Sequence, residues 1–233
     1  MIPVGDSTRR RSTPYVNVAL IVACIGVFVY ELTLSQAGVN RFFVDFGAVP
    51  ADLVAWVNDP SGAEEPSTVG TSMFIHGGWL HLIGNMLFLW VFGDNIEDAL
   101  GHVRYLLFYA LCGVGAAALQ VYIDQDSLVP MVGASGAIAG VLGAYLVLYP
   151  RATVSVVIPW LFFFGAFPVP AAALIVFWFV LQLLSGVAAL GAAAGGSEGI
   201  AFWAHVGGFV AGLALVWVFR RGGPKRRAPA TVW

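Results

Sequence analysis

Hydrophobic residues run along this chain in long blocks rather than in strict alternation. Six blocks stand out, at residues 15–34, 79–96, 103–123, 131–148, 170–190 and 200–219. Each approaches the roughly 20 mostly apolar positions that carry a helix across a bilayer. The pattern predicts an all-α membrane protein, a bundle of six transmembrane helices. Arg9, Arg10 and Arg11 precede the first block as basic residues precede a signal peptide, but the block is long for one and has no small-residue cleavage site. It reads as an uncleaved span. Residues 152–169 are apolar too, yet they contain Pro159 and Pro168 and are bounded by Pro150 and Pro170. Proline at that density interrupts a spanning helix, so the segment is expected to be an interfacial loop.

Composition sharpens this reading. The 233 residues are 59% hydrophobic and 10% charged, with a mean hydropathy of +0.85, whereas soluble chains carry about 25% charged residues. A cytoplasmic globular enzyme, a disordered chain and a nucleic-acid binder are excluded, since none covers its exterior with so few polar side chains. The net charge of −2 names no partner, but the placement of basic residues sets an orientation. With six spans and both termini cytoplasmic, Arg9 to Arg11, Arg104, Arg151, Arg220, Arg221, Lys225, Arg226 and Arg227 all lie inside, and only Arg41 lies outside. A seventh span would break that bias. The expected organisation is a cytoplasmic N-terminal tail (1–14), a six-span domain (15–220) and a basic tail (221–233) with affinity for anionic lipid. The outer loop at 35–71 carries Asp45, Asp52, Asp59, Glu64 and Glu65 among interfacial aromatics, and its length marks it as functional or mobile. Cys24 and Cys112 lie in apolar runs and read as packing residues.

Polar side chains within the spans are costly and hence informative. Spans two, four and six enter from outside, and they place His81 and Asn85, Ser135, and His205 at similar depth in the outer half of the bilayer. Gly136, Gly140 and Ala144 beside Ser135, and Ala204, Gly208 and Gly212 beside His205, form small-residue ridges that let two helices approach closely. Serine becomes a nucleophile when a neighbouring histidine takes its proton. The oxyanion that results needs fixed donors, and the Ser135 N–H, His81 and Asn85 could supply them.

Each residue alone has a plainer reading. A lone serine in a membrane helix usually bonds its own backbone. His76 and His102 read as interfacial, Glu97 as tying down an inner loop between Gly93 and Gly101, and Gln182 as a bond to a neighbouring helix. Glu31 is expected to reach for the interface rather than orient His205, leaving a dyad. A metal site is disfavoured, because His76 and His81 lack the i, i+4 spacing and glutamate of HExxH.

At these residues the chain resembles the rhomboid family of intramembrane serine proteases. The matching strings are HGGWLHLIGN (His76, His81, Asn85), GDNIEDALG (Gly93, Glu97, Gly101), GASG (Gly133 to Gly136) and AHVGGFVAG (His205, Gly208, Gly212). The resemblance implies Ser135 as nucleophile, His205 as general base and then acid, and His81 and Asn85 on the oxyanion side. Gly133, Gly136, Gly208, Gly212 and Glu97 would shape the site. It further implies transmembrane protein substrates entering beside spans two and five, cleavage near the outer face of a cell membrane, contact with lipids, and no cofactor or metal. The chain departs from the family in two places. Ala139 stands where some members have an aromatic beneath the histidine, and the Trp-Arg pair of some first outer loops is missing. A silent relative that binds or escorts membrane proteins is the alternative. A transporter would favour an inverted repeat, which the sequence lacks.

Overall fold

The computed structural model describes residues 2–61, 66–157, 165–191 and 201–220. Strand β1 (Ile2–Asp6) leads into helix α1 (Tyr15–Glu31), three short helices α2 (Gln36–Phe46), α3 (Pro50–Asn58) and α4 (Thr68–Ser72), and then α5 (Trp79–Phe88). A π-helical turn (Leu89–Gly93) joins α5 to α6 (Asp94–Leu100), and α7 (His102–Ile123) and α8 (Ser135–Leu148) follow. Strands β2 (Thr153–Val157) and β3 (Ala166–Pro170) precede α9 (Ala171–Gly191) and α10 (Phe202–Phe219). Each apolar block thus contains helix. Three helices, His102–Ile123, Ala171–Leu190 and Phe202–Phe219, are long and apolar enough to cross a membrane, while α1 and α8 are shorter apolar helices. The basic tail at 221–233, with Glu64 and Glu65 of the outer loop, lies outside the described residues.

Helix α8 is the centre. Every residue from Gly136 to Tyr145 is buried, as expected of a helix apolar on all sides. The small-residue ridges do bring it against α10, backbone to backbone. A Cβ added at Gly208 would sit 1.9 Å from the Gly136 carbonyl oxygen, and one at Gly212 would sit 2.1 Å from that of Gly140. Real carbons do not approach that closely, so only glycine permits the contact.

The expectation of an all-α fold needs correction. Residues 158–164 of the expected interfacial loop lie outside the described residues, but the strands on either side of them and the N-terminal tail meet in a small antiparallel sheet of order β1-β2-β3. Val154 and Val156 alternate inward and are fully buried, and this period-two pattern suits a strand. Pro3, Pro168 and Pro170 lie on the two outer strands, where a missing N–H is tolerated. The residues after β1 are docked rather than trailing. Asp6 accepts hydrogen bonds from the Thr8 and Tyr145 hydroxyls and, at 3.0 Å, from Asn95 Nδ2. Arg10 pairs with Asp94 at 3.0 Å, and the Ser12 N–H and hydroxyl reach Asp98 Oδ1 at 3.0 and 2.7 Å. Burial raises the Asp6 carboxyl above its ordinary pKa, against the pull of these hydrogen bonds.

The second apolar block is not one regular helix. Its π turn is held by Asn17, whose Nδ2 donates to the Leu89 carbonyl at 2.9 Å while its Oδ1 accepts from the Tyr105 hydroxyl at 2.8 Å. Gly93 leaves the room, since a Cβ there would meet Asn17 Oδ1 at 2.1 Å. Beyond the turn, Glu97 is wholly buried and accepts from the Val16 and Asn17 N–H groups at 3.0 and 2.7 Å. It thereby satisfies the free amides that open α1, and it also pairs with half-exposed His102.

The outer loop is largely helical. Its docking does not need the missing Trp-Arg pair: Ala48 and Met131 exchange backbone hydrogen bonds at 3.0 and 2.9 Å, and the Gly133 N–H donates to Ser72 O at 2.9 Å. The loop therefore grips the chain just before Ser135.

Candidate active site

Helices α5, α8 and α10 all begin at the site. His81 is the third residue of α5, Ser135 the first of α8 and His205 the fourth of α10. The fourth block was expected to be helical from Met131, but the outer loop holds Met131 in a β-bridge to Ala48 and Gly133 turns at φ +122°, so α8 starts only at Ser135. The first N–H groups of α8 consequently point outward without intrahelical acceptors. Gln120 of α7 caps α10, its Oε1 accepting from the Ala204 N–H at 3.2 Å.

Ser135 Oγ and His205 Nε2 are 2.7 Å apart. The ring's other nitrogen, Nδ1, is 2.7 Å from Gln182 Oε1 of α9, and the Trp178 ring lies against the imidazole with centroids 5.8 Å apart. Sequence reasoning assigned neither α9 residue to the site. Their i, i+4 spacing puts them on one helix face, but nothing in a uniformly apolar helix says which face meets α10.

His81 closes the other side. The Gly77 N–H donates to its Nδ1 at 3.3 Å, so a neutral ring carries its proton on Nε2. A Cβ placed on Gly133 would lie 2.6 Å from that Nε2 and 3.6 Å from Ser135 Oγ, which is why glycine is required there. Asn85, one turn along the same face, is buried, and its Nδ2 has no hydrogen-bond partner among the described residues. A cavity of about 40 Å³ borders Ser135, Gly133 and Ala204. A larger one, about 240 Å³, lies between α5, α8 and α9 with walls that include Phe88, Phe92, Leu142 and Trp178, and it contains no reacting group.

Three residues sit differently from expectation. Glu31 does not reach for the interface: it is buried and accepts from the His76 N–H at 3.2 Å. His76 is buried as well, with Nδ1 donating to Phe74 O at 3.1 Å. Burial, helped by neighbouring His81, pushes its pKa down to about 4, so it stays neutral. Glu97 is no neighbour of Ser135. It lies 16 residues beyond His81, at the far end of the helical run and about 24 Å away by helical rise, and it shapes the base of α1 instead.

The helical bundle and its membrane-length helices describe a multi-pass membrane protein with a serine and a histidine in hydrogen-bond contact. The family described as "Rhomboid domain" matches residues 63–222, and the chain belongs to the rhomboid family. Relatives include "RHOMBOID-like protein 1" of Arabidopsis thaliana, 32% identical over 149 residues, which are 64% of this chain and 33% of that one. "Rhomboid protein 1, mitochondrial" of Saccharomyces cerevisiae is 31% identical over 160 residues, 67% of this chain and 42% of its own. "RHOMBOID-like protein 6, mitochondrial" of Arabidopsis thaliana is 40% identical over 76 residues, 33% of this chain and 24% of its own. The matched stretch is less than half of each relative's length.

Proposed function

We propose that the chain is an intramembrane serine endopeptidase acting on transmembrane proteins near the outer face of a cell membrane. The observation that carries this is the 2.7 Å approach of Ser135 Oγ to His205 Nε2. His205 takes the hydroxyl proton as Oγ bonds to the substrate's carbonyl carbon. The oxyanion formed is met by the Ser135 N–H, His81 Nε2–H and Asn85 Nδ2, at the positive ends of α5 and α8. His205 then protonates the leaving amine, the C–N bond breaks, and water activated by the same imidazole hydrolyses the ester.

Depth and orientation belong to the same proposal. Six spans, both termini cytoplasmic and a protease domain over 15–220 agree with the distribution of arginine and lysine. The 14 residues of α8 span about 21 Å, short of the roughly 30 Å hydrocarbon layer. A central helix this short leaves Ser135 below the outer surface, in a recess that water can enter. Purified protein should cleave a labelled transmembrane substrate, and Ser135→Ala or His205→Ala should lose about 10⁴-fold or more of that rate. Equal outcomes for the three proteins overturn the proposal in favour of a silent binder of membrane proteins.

A further inference from the structure

We infer that Gln182 is a positioning residue for the reaction, converting the serine–histidine pair into a Ser135–His205–Gln182 relay of fixed tautomer; this rests on the protease reading. An amide oxygen can only accept a hydrogen bond. With Gln182 Oε1 at 2.7 Å, Nδ1 of His205 must carry the ring proton. A neutral imidazole has one such proton, so Nε2 presents its lone pair to Ser135 Oγ, also at 2.7 Å. Without the acceptor, the proton is free to move to Nε2, which would then donate to the serine oxygen and take no proton from it. In soluble serine proteases a wrong tautomer alone costs about 10⁴-fold in kcat.

The neighbours of the imidazole leave this task to Gln182. Trp178 packs against the ring and limits its tilt, but it offers no acceptor to Nδ1. Ala139, under the site on α8, has neither bulk nor polarity. An amide also suits the setting. A carboxylate on an apolar helix would be a costly charge in the bilayer, whereas Oε1 fixes the ring without one, as asparagine does beside the histidine of papain-like proteases. The residue that a helix-to-helix bond alone would explain therefore lies at the one ring atom whose proton decides the chemistry.

Two substitutions separate orientation from scaffolding. Gln182→Leu removes the acceptor at similar size, and Gln182→Glu keeps one. With a labelled transmembrane substrate in detergent, the leucine variant is expected to lose about 100-fold in kcat with KM and melting temperature near wild type, and the glutamate variant to recover at least half of that loss on a logarithmic scale. Ring ¹⁵N spectra of histidine-labelled protein, assigned through His205→Ala, should show a single Nδ1–H tautomer for His205 in wild type and a mixture in Gln182→Leu. Wild-type kcat and an unchanged tautomer in the leucine variant overturn the inference, as does a folded glutamate variant no better than leucine. If wild type cleaves nothing, the protease reading fails, and the ring spectra still decide whether Gln182 sets the tautomer.

Discussion

The α8–α10 and α9–α10 contacts serve one imidazole in opposite ways. Between α8 and α10, glycines let main chain touch main chain, and Gly208 and Gly212 have no space for a single added carbon. Helix α9 meets α10 through side chains, and only 17% of its membrane-length window is buried, against 39% for α10. The approach of Ser135 to His205 is thus built into close-packed backbone, whereas the orientation of the ring hangs on the least enclosed of the long helices. That helix is tied to the bundle at its base by β3, continuous with α9 and paired through β2 to β1. Proximity and orientation are separate properties here, and they can be perturbed separately.

Gly208→Val tests the rigid contact and should have the largest effect. Overpacking a core costs about 1–3 kcal/mol, and a clash with the Gly136 carbonyl belongs at the upper end. Loss of monodisperse protein, or of Ser135 labelling by a fluorophosphonate, is the expected result; a stable, fully active valine variant would show that the two helices do not meet as described. Trp178→Ala tests the looser contact. One ring-packing interaction is worth about 0.5–1.5 kcal/mol, so kcat should fall up to about tenfold while the melting temperature hardly moves. A collapse as severe as that of Gly208→Val would erase the distinction between the two contacts.

Asp6 addresses the tether below α9 and should give the smallest effect. Its pKa is raised by burial in the folded protein, so the folded state binds this proton more tightly than the unfolded chain does. Stability from this group therefore rises as pH falls through the raised value and is lost as pH climbs above it. The melting temperature of wild type should increase as pH is lowered from 7 towards the ordinary carboxylate pKa of about 4, and Asp6→Asn should flatten that increase.

Much of this was legible in the residue pattern because it was local. Apolar block length located every long helix, and four-residue glycine spacing foretold the ridge that joins Ser135 to His205. Pairing across sequence was harder to read. Pro168 and Pro170 exclude a helix but do not announce a strand, and nothing near Ile2 signals a partner more than 150 residues away. Glu31 and His76 looked interfacial because each is polar near a span end; both are buried, and the contact of the Glu31 carboxylate with the His76 N–H joins positions 45 residues apart. Gln182 carried a signal, a lone amide in an apolar run, but its meaning required knowing which way α9 faces.

The π turn has a consequence for how this polypeptide tolerates length changes. One extra residue is wound into Leu89–Gly93, and it sets the rotational phase between His81 and Asn85 above and Asn95, Glu97 and Asp98 below. Wound as an ordinary helix, the same residues would swing one half about 100° against the other, whereas deleting a single residue there would restore ordinary winding and keep the two halves in phase. A one-residue gap in this stretch should therefore be tolerated better than one elsewhere in α5 or α6, where either His81 and Asn85 or the anchor beneath α1 would come to face lipid.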